Sequence, residues 1–264
     1  MIELKNVTKI FHKGTVNENL AINNISLKIN KGDFVTVIGS NGAGKSTLLN
    51  LIAGYLFPDE GSIIIDGEDV TKISDYKRAY YIGKVFQDPL SGTAASLTIE
   101  ENLAIAKKRG QKRWFSKGVK NKDREFFKER LKILGLGLEN RLKDRVGLLS
   151  GGQRQSLTLL MATLVKPKIL LLDEHTAALD PKTATKIIEL TEYFIKEYNL
   201  TAMMVTHNMR QALKLGNRTI MMDKGEVILD ISGEERKKLD VKDLIDMFSK
   251  VRGEGISDDK MLLI

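Results

Sequence analysis

Apolar and polar residues alternate over residues 2 to 8 and 26 to 29, the two-residue period of strands with one buried face. These segments are predicted to run antiparallel, with Phe11 between them. Phe34-Val35-Thr36-Val37-Ile38 is a short apolar, β-branched run and reads as a buried strand; Thr47 to Ala53, beyond a glycine-rich gap, reads as the first turns of a helix. Glu60 to Gly67 reads as turn, strand, turn, and Tyr80 to Phe86 as a further strand, after which Pro89 stops regular structure. The period then lengthens. Thr98-Ile99-Glu100-Glu101 has the capping-box form, Asn121 to Leu134 spaces Phe126, Phe127, Ile133 and Leu134 as a helix would, and Gly151 to Val165 gives a third helix. Residues from about 88 to 165 are therefore predicted to form a mostly helical insertion in an α/β chain.

Strand signals return with Ile169-Leu170-Leu171-Leu172-Asp173, a continuous apolar run of the kind a parallel strand buried on both faces requires. Pro181 to Tyr198 is a helix with proline in its first turn, Thr201 to Val205 a strand and Met209 to Leu215 a helix. Arg218 to Asp223 and Glu226 to Ile231 flank Lys224-Gly225 as a hairpin, and Asp240 to Val251 is an amphipathic helix. Gly253 to Ile264 carries no clear pattern.

Composition narrows the class. The 264 residues hold no cysteine, which excludes disulfides and thiolate metal sites, and no apolar run long enough to span a membrane. The start, Met1-Ile2-Glu3-Leu4-Lys5, has no apolar signal region, so a cytosolic location is expected. The formal charge is +8, and residues 107 to 132 alone carry 12 Lys/Arg against 3 Asp/Glu, so the rest is nearly neutral. Such a segment suits nucleic acid, an anionic membrane surface or simply a solvated helix face. Trp114 within it has no assigned role.

The glycine-rich gap is Gly39-Ser40-Asn41-Gly42-Ala43-Gly44-Lys45-Ser46-Thr47, which fits the phosphate-binding loop G-x-x-x-x-G-K-[ST] in its required setting of strand, loop and helix. The glycines let successive N–H groups converge on an anion at the positive end of the following helix. Lys45 is placed to reach the β- and γ-phosphates and the Ser46 hydroxyl to ligate Mg²⁺. Downstream, the apolar strand ending in Asp173 and Glu174 reads as the partner motif, with Asp173 holding Mg²⁺ and Glu174 polarising a water.

Leu149-Ser150-Gly151-Gly152-Gln153 stands 23 residues ahead of Asp173, counted from Ser150, and resembles the signature of ABC ATPases. The resemblance covers residues 1 to about 232, with 233–264 as a C-terminal extension. It implies a P-loop NTPase (RecA-like) core carrying an N-terminal antiparallel β-subdomain and an inserted helical subdomain. Gln87 then matches the Q-loop glutamine, a catalytic residue and further Mg²⁺ contact; Ala178-Leu179-Asp180 matches the D-loop, with Asp180 at the ATP, His207 the switch histidine, catalytic beside Glu174, and Phe11 the aromatic that stacks on adenine. The resemblance further implies a head-to-tail dimer, a homodimer or a paired ATPase subunit, in which the P-loop of one copy and Ser150 to Gln153 of the other sandwich each ATP. There a Cβ on Gly151 or Gly152 would crowd the nucleotide. One departure stands out: His175 follows Glu174, where most members have proline. The wording from Asp173 to Ala184 resembles bacterial importer ATPases that serve amino acid permeases with binding proteins of the tryptophan/tyrosine type. The expectation is a subunit on the cytoplasmic face of the cell membrane, held there by a transmembrane permease and served indirectly by an extracytoplasmic solute-binding protein. Specific nucleic-acid binding is not expected; a soluble ATPase acting on nucleic acid or ribosomes and an exporter ATPase remain the alternatives.

Overall fold

The computed structural model describes residues 1–111 and 118–252. Lys112, Arg113 and Trp114 of the basic segment, and residues 253–264, lie outside the described residues. The chain forms two compact units, Met1–Arg78 with the chain from Thr201 onward, and Ala79–Leu200. The first opens with β1 (Ile2–Phe11), β2 (Asn19–Ile29), β3 (Phe34–Gly39), α1 (Lys45–Ala53), β4 (Glu60–Ile65), β5 (Glu68–Asp69) and the single turn α2 (Asp75–Arg78). The second holds β6 (Ile82–Val85), α3 (Ile99–Lys107), α4 (Asn121–Lys132), α5 (Gly151–Leu164), β7 (Ile169–Asp173) and α6 (Pro181–Glu197). The chain returns to the first unit through β8 (Thr201–Val205), α7 (Met209–Lys214), β9 (Arg218–Asp223), β10 (Glu226–Ser232), α8 (Gly233–Lys238) and α9 (Val241–Arg252).

In the first unit β1 lies between β2 and β4, antiparallel to both, and Ile2, Leu4, Leu27, Ile29, Ile63 and Ile65 are buried. Both long strands exceed the sequence expectation: β1 runs on to Phe11, which pairs with Asn19, and β2 begins at Asn19 instead of residue 26. The alternation fails there because the pairing is irregular around Asn6 and Asn24, both in the left-handed region, whose side chains bond each other at 3.0 Å. The other strands of this unit run in the order β10-β9-β3-β8, with β3 parallel to β8 and β9, and β9–β10 forming the expected hairpin. The apolar face of α9 presents Leu244 and Phe248 to Ile38, Met209, Ala212 and Met221.

In the second unit β6 and β7 are parallel, Val85 beside Leu172. Gly83 is glycine because a Cβ there would stand 2.5 Å from the Ala162 carbonyl oxygen of α5. The Thr98 capping box opens α3 as predicted.

Three arginines, Arg78 and Arg236 buried and Arg109 half-buried, close the carboxyl ends of α1, α5 and α7. Arg78 donates to the Leu51 and Ile52 carbonyls, Arg109 to Ala162 and Val165, and Arg236 to Ala212 and Leu215. Each guanidinium supplies donors to carbonyls that a helix end leaves unpaired, and positive charge to the negative end of the helix dipole. Burial pushes the Arg78 and Arg109 pKa values down to about 10. Arg109 is therefore a structural cation and not part of a solvated basic face. Lys107 is likewise engaged, 2.6 Å from Asp123, and Arg124 pairs with Glu100 at 2.7 Å. No helix among the described residues is long and apolar enough to cross a membrane.

Candidate nucleotide site

The glycine-rich loop joins β3 to α1. Gly39 has φ +145° and a Cβ there would fall 2.1 Å from the Met222 carbonyl oxygen; Gly44 has φ +96° and would meet the Ala21 carbonyl oxygen at 2.4 Å. Only glycine fits either position. Gly42 also has positive φ, but nothing lies within 4 Å of its Cβ position, so its glycine serves backbone conformation alone. The loop is braced from β9 and the turn into β10: Ser40 Oγ donates to Asp223 Oδ1 at 3.0 Å and the Gly225 N–H to the Ala43 carbonyl at 3.2 Å. Lys45 is buried and folds back on its own loop, its Nζ donating to the Gly39 and Ser40 carbonyls at 3.0 and 2.9 Å. Ser46 and Asn41 are exposed and Thr47 half-buried.

Because β8 lies parallel to β3, Val205 sits beside Val37 and the carboxyl end of β8 emerges beside that of β3. Two residues on is His207, exposed, at the start of the turn into α7. That turn is fixed by the Thr206 hydroxyl, which donates to Gln211 Oε1, and by Asn208 capping α7 through the Gln211 N–H. Phe11, in the same unit, is half-buried with Lys9 Nζ 5.8 Å from its ring centroid.

The second unit gathers the remaining residues. The parallel pairing of β6 with β7 brings Phe86 and Gln87 out beside Asp173 and Glu174. Lys84 Nζ stands 4.0 Å from Asp173 Oδ2 and 4.9 Å from the Phe86 ring centroid; its burial lowers its pKa, and Asp173 opposes that shift. Glu174 adopts φ +44°, a left-handed conformation uncommon outside glycine. His175, next in the chain, is buried, its Nε2 3.1 Å from the Thr191 hydroxyl; burial pushes its pKa down to about 4, so the ring is neutral. A neutral imidazole bonded to α6 is how this chain accommodates the residue that departs from proline.

Ser150 is the N-cap of α5 in a reciprocal box: the Gln153 N–H donates to Ser150 Oγ and the Ser150 N–H to Gln153 Oε1. The two signature glycines differ. A Cβ at Gly152 would lie 2.3 Å from Thr183 Cγ2 of α6, so packing inside the chain itself demands glycine there. At Gly151 the nearest atom is Leu179 Cδ2 at 3.7 Å, ordinary contact. Asp180 caps α6, its Oδ1 accepting from the Thr183 N–H at 3.1 Å; the Thr183 hydrogen bonds hold its pKa down. The sequence reading missed Gln155, whose role no motif letter announces: it is fully buried and its amide donates to the Phe86 and His175 carbonyls.

No cluster of three or more His, Cys, Asp or Glu that could hold a metal occurs among the described residues. The expected Mg²⁺ donors, the Ser46 hydroxyl, the Gln87 amide and the Asp173 carboxylate, are instead few, hard oxygen ligands. That suits an ion that keeps waters and phosphate oxygens in its shell.

The sequence model of the ABC transporter family matches residues 22–177. A tyrosine transport ATP-binding protein of Clostridioides difficile (strain R20291) is 44% identical over 94% of this chain and 98% of its own length. A methionine import ATP-binding protein of Bacillus thuringiensis subsp. konkukian (strain 97-27) is 36% identical over 91% of this chain and 67% of its own. Among solved structures, a dimeric ATP-binding cassette in a post-hydrolysis state with ADP and phosphate superposes with TM-score 0.75. It is 33% identical and covers 88% of this chain and 98% of its own.

Proposed function

The chain belongs to the ABC transporter ATPase family, and on that premise we propose that it powers a bacterial importer of amino acids, aromatic ones among them, or of a similar small solute. It is an ATP-binding and hydrolysing subunit of a transporter. The observation that carries the reading of its site is electrostatic. α3, α4, α8 and α9 each have an acidic residue in the first turn, and Asp180 caps α6. α1, α5 and the six-residue α7 have none, α7 being capped by the neutral Asn208. A carboxylate at a helix N-terminus neutralises the positive dipole end that would otherwise attract an anion. The helices that follow the glycine loop and Ser150 are the long ones whose positive ends the chain leaves for phosphate.

In the proposed arrangement two copies, identical or paired, face head to tail, and each ATP lies between the glycine loop of one and Ser150 to Gln153 of the other. Lys45 exchanges its own-loop carbonyls for the β- and γ-phosphates. Ser46, Gln87 and Asp173 would hold Mg²⁺, which would supply positive charge to offset that of the phosphate oxygens. Glu174 polarises the attacking water, His207 contacts the γ-phosphate, and Phe11 stacks on the adenine. Asp180 rigidifies the segment after Glu174 by capping α6. A permease on the cytoplasmic side of the membrane receives the subunit, and the solute-binding protein acts only through that permease. The tyrosine transport relative supports the substrate class. The basic segment is proposed to face the anionic inner leaflet or the permease, through Lys120 and Lys122, both exposed. Glu174→Gln tests the site: the variant is expected to bind ATP, to lose turnover and to elute as a dimer in MgATP. A monomer, or turnover at the wild-type rate, overturns the assignment.

A further inference from the structure

Gln155 lies in the second turn of α5, the helix that Ser150 opens, and is fully buried. Its Nε2 donates to two backbone carbonyls, Phe86 at 3.1 Å and His175 at 2.7 Å. Phe86 immediately precedes Gln87, and His175 immediately follows Glu174. The Gln155 Oε1 is buried without a partner among the described residues. That fixes the amide's orientation, since the flipped form would set oxygen against two carbonyl oxygens. It also means the chain tolerates an unsatisfied acceptor in order to keep both donors in place.

The second observation is the backbone it holds. Glu174 sits at φ +44°, and such a conformation persists where its surroundings over-determine it. His175 supplies the restraint from two sides: its carbonyl is taken by Gln155 on α5 and its ring by Thr191 on α6. The Thr191 hydroxyl donates to the Ile187 carbonyl at 2.8 Å, so it accepts from the neutral ring. The Glu174 carbonyl is in turn closed by the Ala177 N–H at 2.9 Å.

We propose that Gln155 is a positioning residue for hydrolysis: one amide fixes the backbone on either side of the reaction, aiming Glu174 at the water and Gln87 at the metal. It also joins these segments to the signature helix of the same chain. In a head-to-tail pair that helix serves one nucleotide while Glu174 serves the other, so Gln155 spans elements of both sites. The inference rests on the assignment of Glu174 as the water-activating residue.

The test is steady-state ATPase of the full chain for Gln155→Met, which removes both donors and the orphan acceptor, and for Gln155→Glu, which keeps the shape and loses the donors. Glu174→Gln is the reference. Displacing a reacting group by a fraction of an ångström is expected to lower kcat at least about tenfold, with the KM for ATP within about twofold; the two carbonyls left without their donor should also lower the unfolding midpoint of both variants, so the split between kcat and KM is the deciding readout. A kcat within about twofold of wild type in both variants overturns the proposal. So does a parallel loss of kcat, ATP affinity and thermal stability, or failure of both variants to fold, either of which makes Gln155 a structural residue only. If Glu174→Gln itself turns over normally, it is the assignment of Glu174 that falls.

Discussion

Replacing Gly152 with alanine puts a Cβ 2.3 Å from Thr183 Cγ2, far inside van der Waals contact. Neither Gly151 nor Gly152 has positive φ, so alanine fits the backbone at both and the difference between them is packing alone. Overpacking of this size costs about 1–3 kcal/mol, against about 1 kcal/mol gained from alanine's helix propensity, so Gly152→Ala should lose about 1 kcal/mol net. Thr183→Ser removes the offending methyl and leaves the Thr183 N–H free to keep its bond to Asp180. In the double-mutant cycle the propensity gain cancels and the coupling energy reports the strain itself, about 1–3 kcal/mol. Urea unfolding of the four proteins measures it. Gly151→Ala, with its nearest neighbour at 3.7 Å, should be neutral or slightly stabilising and nonetheless hydrolyse ATP poorly, because in the proposed pair an added Cβ would crowd the nucleotide of the second copy. A coupling below about 0.5 kcal/mol between positions 152 and 183 refutes the packing argument. Full activity in Gly151→Ala refutes the claim that this surface receives nucleotide.

Lys45→Ala should weaken ATP binding itself, read by equilibrium titration, since it removes the cation nearest the phosphates. Arg109→Ala should destabilise the protein by about 3 kcal/mol in urea unfolding, two charge-assisted bonds to the end of α5 being lost; a loss near zero would return Arg109 to the solvated basic face. Reversing Lys120 and Lys122 to Glu should leave basal ATPase unchanged and weaken binding to permease-containing anionic vesicles by about 1 kcal/mol per charge. Submicromolar, charge-dependent RNA or DNA affinity in filter binding at physiological salt would instead favour a nucleic-acid role.

The order of elements was legible because each long element carries its own period. The five-residue apolar run ending at Asp173 is too short for a helix and reads as a doubly buried strand, and Thr98-Ile99-Glu100-Glu101 announces a capped helix. Of the strands and α-helices three escaped, as did the 3-10 turns Leu138–Asn140 and Val146–Leu148. The single turn α2 and the helix α8 have no apolar stripe; each is held by one inward arginine, Arg78 or Arg236, whose burial depends on carbonyls remote in sequence. β5 is only two residues long. The start of β2 was hidden by the left-handed Asn24, which breaks the alternation. At the site, motif letters located the glycine loop, Asp173 to His175 and the signature. They gave no hint that Gly152 answers to Thr183, that Arg109 ends the signature helix, or that Gln155 ties Phe86 to His175. These are contacts between segments tens of residues apart, and no local period encodes them.

In the proposed pair each ATP is completed by Ser150 of a second copy, and everything said of the composite site depends on that. The most direct measurement mixes Ser150→Arg with Lys45→Ala under conditions where subunits exchange, verified by a tag-transfer control, and follows ATP hydrolysis. Each variant alone spoils both of its composite sites. In a mixed pair one site keeps an intact Lys45 and an intact Ser150, while the other carries both lesions. With half the pairs mixed and one working site in each, two inactive proteins should together recover roughly a quarter of wild-type activity. No recovery, with exchange demonstrated, would contradict the shared site.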